Sequence, residues 1–146
     1  MRLHYLALHA FGPFPGHETV DFDALGQDGL FLLQGRTGSG KSSILDAVTF
    51  ALYGDVPGER DRTQLKSTHA DPRAEPSVQL DFSVGEEMFR VWRAPQHQRP
   101  QVRNPEKIAQ VNQQITLHRR VSGEWMPMAS GIQAANDEIR RVIGLD

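Results

Sequence analysis

The stretch Gly35-Arg36-Thr37-Gly38-Ser39-Gly40-Lys41-Ser42 limits what this chain can fold into more than any other, because it fits G-x-x-x-x-G-K-[ST], a pattern that holds nucleotide phosphates. Gly35, Gly38 and Gly40 lack a Cβ, so successive backbone N–H groups can converge on one anion. A helix expected to open near Lys41 adds its unpaired first-turn N–H groups and the positive end of its dipole. Lys41 supplies a point charge to the β and γ phosphates, and Ser42 offers its hydroxyl to Mg²⁺. Ser43, one residue further on, can reach the α phosphate. The expected binding set is therefore Gly35, Arg36, Thr37, Gly38, Ser39, Gly40, Lys41, Ser42 and Ser43, with Ser42 as the metal ligand.

The flanks agree with the loop. Leu30-Phe31-Leu32-Leu33 is an apolar run of buried-strand length, and residues 44–53 read as a helix that is apolar nearly all round. Strand, glycine loop and helix follow one another in the order that phosphate binding requires.

A chain of 146 residues suits one domain. Sixteen basic residues face eighteen acidic ones, so the net charge of −2 excludes little and its distribution matters more. The absence of cysteine removes disulfides, thiolate zinc sites and a cysteine nucleophile, and the six histidines have no metal-ligand spacing. No apolar run approaches the roughly 18 residues of a membrane span, and the first residues lack a signal-peptide core, so the expected location is the cytoplasm, with no membrane partner.

Around the loop the pattern is mainly that of strands. Residues 3–11 suit a strand covered on both sides, 12–16 a turn, and 17–23 a returning strand. Residues 54–77, with Arg60, Arg62 and Lys66 among their charges and prolines at 57, 72 and 76, form a long loop that could wall the nucleotide site. Alternation in 78–84 and 88–92 about Gly85-Glu86 predicts an antiparallel hairpin. Residues 94–112, broken by Pro95, Pro100 and Pro105, are expected to be a second mobile loop. Period-two spacing returns at Ile115, Leu117 and Val121, followed by a turn at 122–124 and a short strand around Trp125. Ser130-Gly131-Ile132-Gln133 has capping-box spacing ahead of a final helix striped by Ile132, Ala135, Ile139, Val142 and Ile143.

Between residues 90 and 120, seven Lys/Arg face one acid, Glu106. A patch of this kind recruits nucleic acid through phosphate contacts, or is the solvated face of a hairpin; Arg99, Arg103 and Lys107 are the candidate DNA contacts.

Residues 29–54, Gly-Leu-Phe-Leu-Leu-Gln-Gly-Arg-Thr-Gly-Ser-Gly-Lys-Ser-Ser-Ile-Leu-Asp-Ala-Val-Thr-Phe-Ala-Leu-Tyr-Gly, closely resemble the start of SbcC, a bacterial SMC-like ATPase family of double-strand-break repair. The likeness extends to Phe11-Gly-Pro-Phe14, residues 77–82, Arg93-Ala-Pro-Gln-His-Gln-Arg99-Pro and the closing Ile143-Gly-Leu-Asp146. The resemblance implies an α/β P-loop NTPase fold: the N-terminal lobe of an ABC/SMC-type head, with a mixed sheet whose antiparallel strands flank the strand-loop-helix unit. Residues 1–146 would form the first part of that head, with the glutamine-bearing loop, the coiled coil and the C-terminal half lying beyond it.

It further implies ATP and Mg²⁺ as cofactors. The implied partners are the C-terminal half of the head, a second head in an ATP-dependent dimer, an SbcD-type nuclease and DNA, in a nucleoid-associated complex that processes DNA ends and hairpins. The Ser-Gly-Gly signature does not occur in the sequence, and no apolar strand ends in Asp-Glu as a Walker B segment would. No catalytic residue is therefore expected in the segment, and the isolated chain is expected to bind ATP-Mg weakly without turnover. Two other classes stay open: a small independent P-loop nucleotide kinase or GTPase, though Asn-Lys-x-Asp is absent, and a non-catalytic fragment that docks its missing half.

Overall fold

The computed structural model describes residues 1–25, 39–55 and 65–144. The expected strand at 30–33, Gly35 to Gly38 of the glycine loop, the charged residues 59–62 and the last two residues lie outside the described residues.

Eight strands and two helices are described: β1 (Arg2–Phe11), β2 (Phe14–Asp21), α1 (Ser39–Tyr53), β3 (Ser77–Val84), β4 (Glu87–Ala94), β5 (His97–Pro100), β6 (Ile108–Val111), β7 (Gln114–Val121), β8 (Glu124–Ser130) and α2 (Ile132–Ile143). Six strands form one sheet in the order β2-β1-β3-β4-β7-β8, and β5 and β6 form a separate ribbon. Every pairing among the described residues is antiparallel.

Period-two alternation determines which side chains face the helices. Leu6 and Leu8 of β1 stand opposite Leu80 and Val78 of β3, and Phe82 opposite Phe89. With Val91, Ile115 and Leu117 they make one buried face, on which Ala47, Phe50 and Ala51 of α1 and Ala135 and Ile139 of α2 are packed. Phe11 meets Phe50 at 5.6 Å between ring centroids, and Phe82 meets Phe89 at 5.5 Å. Each such side chain contributes about 1.5–3 kcal/mol when fully buried, so this face holds the helices in place. The other face carries Tyr5, Asp81, Arg90 and His118 in register across four strands.

Four expectations need correction. The first turn is shorter than 12–16: Gly12 takes φ 58°, β2 begins at Phe14 opposite Phe11, and the strand ends at Asp21, followed by a helical turn over 22–25. Pro15 fits inside β2 because β2 is an edge strand, where an imino nitrogen need not donate. The stretch 94–112 contains the ordered β5–β6 ribbon rather than a structureless loop. Pro100 closes β5 and Pro105 lies in the connecting turn, so the prolines delimit the ribbon without removing a ladder bond from its middle.

The capping box does not form. Gly131 is the N-cap at φ 91°, ψ 148°, no side chain caps the helix, and Ser130 is held in β8 opposite Thr116. The last strand is seven residues long, not a short piece around Trp125, because Ser122 and Gly123 at φ 51° and 81° make a tight primed turn that prolongs the ladder.

Candidate functional site

α1 begins at Ser39, so Ser39, Gly40, Lys41 and Ser42 form its first turn, and Ser43 behind them is buried at 1% exposure. A first turn exposes N–H groups without intrahelical partners, and no acidic side chain competes there for an anion. The helix mouth therefore suits an anion such as a phosphate on electrostatic grounds. Ala47, Phe50 and Ala51 seat the helix on the sheet at 0% exposure, which fixes the direction of that mouth. Leu45 and Tyr53 remain 55% and 45% exposed, so α1 is covered on one side only.

The other end of α1 is held by Arg93, which in the sequence stands in the basic run and opens the Arg93–Pro100 stretch of the family resemblance. Its side chain is at 0% exposure. Nε donates to the carbonyl of Ala51 at 3.1 Å, Nη2 donates to Oδ1 of Asn136 at 2.8 Å, and the guanidinium lies 5.8 Å from the Phe50 ring. Arg93 thus places a cation at the C-terminal end of α1, whose last turn has no basic residue of its own, and ties that end to α2. Burial pushes its pKa down to about 10. Gly54 makes room for it: the residue sits at φ 74°, and a Cβ there would lie 2.8 Å from Nη1. A readable signal existed in Phe89, Val91 and Arg93, which occupy one face of an alternating strand.

The basic run is not one surface. Arg90 lies directly across from Asp81, with Nε–Oδ1 at 2.7 Å and Nη2–Oδ2 at 2.9 Å, and stacks 4.4 Å from the Trp125 ring. Donation to the Asp81 carboxylate holds the Arg90 guanidinium above its usual pKa. Arg119 pairs with Glu87 at 3.7 Å, and Arg120 lies 5.5 Å from the Trp125 ring. Of the three candidate DNA contacts, Arg99 is on β5 and paired with Glu75 at 3.2 Å, whereas Arg103 and Lys107 are exposed in the β5–β6 connection. Lys66 bridges the 65–72 segment to the ribbon, donating to the carbonyls of Pro72 at 2.7 Å and Gln98 at 3.1 Å, and burial lowers its pKa. Arg60 and Arg62 lie outside the described residues. No described helix is long and apolar enough to cross a membrane, and no metal-ligating cluster of three occurs among the described residues.

Comparison with known proteins adds the family. The family described as AAA domain matches residues 5–137. The SbcC component of nuclease SbcCD from Vibrio cholerae serotype O1 is 43% identical over 104 residues, covering 70% of this chain and 10% of that protein. The protein of the same description from Treponema pallidum is 46% identical over 90 residues, 60% of this chain and 8% of its own length. That of Lactococcus lactis subsp. lactis is 32% identical over 148 residues, covering 100% of this chain and 14% of its own. The chain thus spans between 8% and 14% of the length of these relatives.

Proposed function

This chain belongs to the SbcC family, whose AAA domain it carries across residues 5–137, and from that membership we propose that it is the ATP-binding first part of an ABC/SMC-type head. Residues 1–146 form the N-terminal lobe of the head, completed by a C-terminal half with its signature loop and Walker B pair. In the nucleotide site, backbone N–H groups from Gly35 to Ser43 surround the phosphates. Lys41 would neutralise charge on the β and γ phosphates, and Ser42 would be the protein ligand of Mg²⁺. Bound Mg²⁺ would offset charge between the phosphates.

The observation that carries this reading is the helix start at Ser39, inside the glycine motif, with no acid in the first turn. The complete protein uses ATP to join two heads and, with an SbcD-type nuclease, processes DNA ends and hairpins in the nucleoid. Arg103 and Lys107, and Arg99 beside them in sequence, supply phosphate contacts. The segment alone holds ATP-Mg weakly and does not turn it over, because phosphoryl transfer depends on groups from the other half.

Calorimetric titration with ATP-Mg and GTP-Mg tests the core of the proposal. ATP should be preferred, and Lys41→Ala should weaken it by about 10-fold or more, the effect of losing a hydrogen bond to a charged group. Equal binding by Lys41→Ala would overturn the assignment, and Lys41-dependent phosphate release from the segment would overturn the claim of no turnover. Co-expression with the C-terminal half should restore ATP hydrolysis.

A further inference from the structure

Two kinds of force locate α1 on the sheet. Ala47, Phe50 and Ala51 press it down, but apolar contacts are non-directional and resist separation more than sliding along the helix axis. Arg93 supplies a directional contact. Its Nε donates to the carbonyl of Ala51 at 3.1 Å, in the last turn of α1, where carbonyls have no intrahelical partner. The neighbouring carbonyl of Phe50 accepts from the N–H of Gly54 at 2.7 Å.

The anchor sits in the middle of a ladder. Arg93 lies on β4 between β3 and β7, opposite Val78 on one side and Ile115 on the other. Its guanidinium is enclosed by groups from three places: the Ala51 carbonyl of α1, Oδ1 of Asn136 on α2 at 2.8 Å, and the backbone at Gly54, where a Cβ would come within 2.8 Å of Nη1. Nη1 itself has no hydrogen-bond partner among the described residues. A buried guanidinium with one donor left over, its charge opposed by burial, is a poor source of stability, since an apolar side chain of similar volume often serves as well. What an apolar chain cannot provide is a fixed distance to one carbonyl of α1.

We infer that Arg93 is a positioning residue of the nucleotide site: by holding the carbonyl end of α1 it sets where the first turn, from Ser39, presents its N–H groups to a phosphate. The helix carries the constraint, since Ala51 and Ser39 are separated by about 18 Å of continuous hydrogen-bonded turns. Donor–acceptor distances to an oxygen span only a few tenths of an ångström, and a misplacement of about 1 Å can cost about 100-fold. The inference rests on the reading of residues 35–43 as a phosphate-binding loop, and adds to it a residue at the far end of the helix.

Amide NMR spectra of the whole chain test it, with and without nucleotide. Without nucleotide, Arg93→Met should shift the amide signals of residues 39–42. Gly123→Ala, a comparably destabilising change at the turn between β7 and β8, should leave them in place. In titration with ATP-Mg, Arg93→Met should bind at least about 10-fold more weakly than the unaltered chain, and Gly123→Ala equally well. Arg93→Lys keeps the charge but offers one nitrogen in place of Nε and Nη2, so it should also bind more weakly, by about 3-fold or more.

Unaltered affinity in Arg93→Lys would show that only the charge at the helix end matters, and would overturn the positioning role. So would unshifted first-turn signals or undiminished ATP binding in Arg93→Met, or an equal loss of ATP binding in Gly123→Ala. First-turn shifts in Arg93→Met, in a chain whose ATP binding does not depend on Lys41, would uphold Arg93 as the residue that places the first turn and overturn the nucleotide reading instead.

Discussion

Arg93 offers the most stringent test, because opposing terms of similar size meet on one side chain. Burial pushes its pKa down to about 10, a penalty on the charged form of roughly 3 kcal/mol. Against this stand two hydrogen bonds from a charged group, to Ala51 and Asn136, each contributing about 1.5–3 kcal/mol. Arg93→Met keeps an unbranched apolar stem, removes the penalty and loses both bonds, so the net cost should be only about 0–3 kcal/mol. Arg93→Ala adds a cavity and should cost about 2–4 kcal/mol more than Arg93→Met.

Urea unfolding followed by the fluorescence of Trp92 and Trp125 reads both changes. Because Met cannot satisfy the amide, a double-mutant cycle with Asn136→Leu should give a coupling of about 1–3 kcal/mol. A coupling below about 0.5 kcal/mol, or an Arg93→Met variant less stable than Arg93→Ala, would refute the balance described here.

Gly54→Ala forces a Cβ to 2.8 Å from Arg93 Nη1 at φ 74° and should lose about 2–4 kcal/mol, whereas Gly123→Ala, at φ 81° with nothing within 4 Å, should lose about 1–2 kcal/mol; the same urea assay compares them. Arg90→Met leaves the carboxylate of Asp81 unpaired at 7% exposure and should cost about 2–4 kcal/mol, less than a fully buried pair because Arg90 is about one-third exposed; adding Asp81→Leu should recover most of that loss. The bond from Arg141 to Glu138 holds the Glu138 carboxyl below its usual range. The folded pKa lies under the unfolded one, so the contribution is complete above the unfolded pKa and fades as pH falls through the folded value. An acid titration of helical circular dichroism should show a loss that Arg141→Gln removes.

The helix after the glycine motif, the β3–β4 hairpin and the stripe of the last helix were all legible, because each is a local pattern: Val78, Leu80 and Phe82 alternate, and Ala135 and Ile139 recur one turn apart. Features that depend on distant partners were not. The β5–β6 ribbon has little apolar content to announce it; Gln98 opposite Gln110 and Pro100 opposite Ile108 pair as strands because the 66–72 segment supports the ribbon through Lys66. Charge counting treated Arg93 as surface, since nothing near it in sequence reveals that Ala51 and Asn136 will be its acceptors. The false capping box has a local cause. Gly131 can adopt φ 91°, so the chain turns into the helix one residue after the serine that matched the pattern.

The position of β1 between β2 and β3 also carries a kinetic consequence. Joining Leu8 to Val78 closes a loop of about 70 residues, at an entropic cost near 4 kcal/mol beyond a constant, whereas the β3–β4 and β7–β8 hairpins close over two residues. The hairpins therefore assemble early, and the opening strand docks late in the folding reaction. Truncating Leu6 or Leu8 should speed unfolding while leaving the refolding rate nearly unchanged.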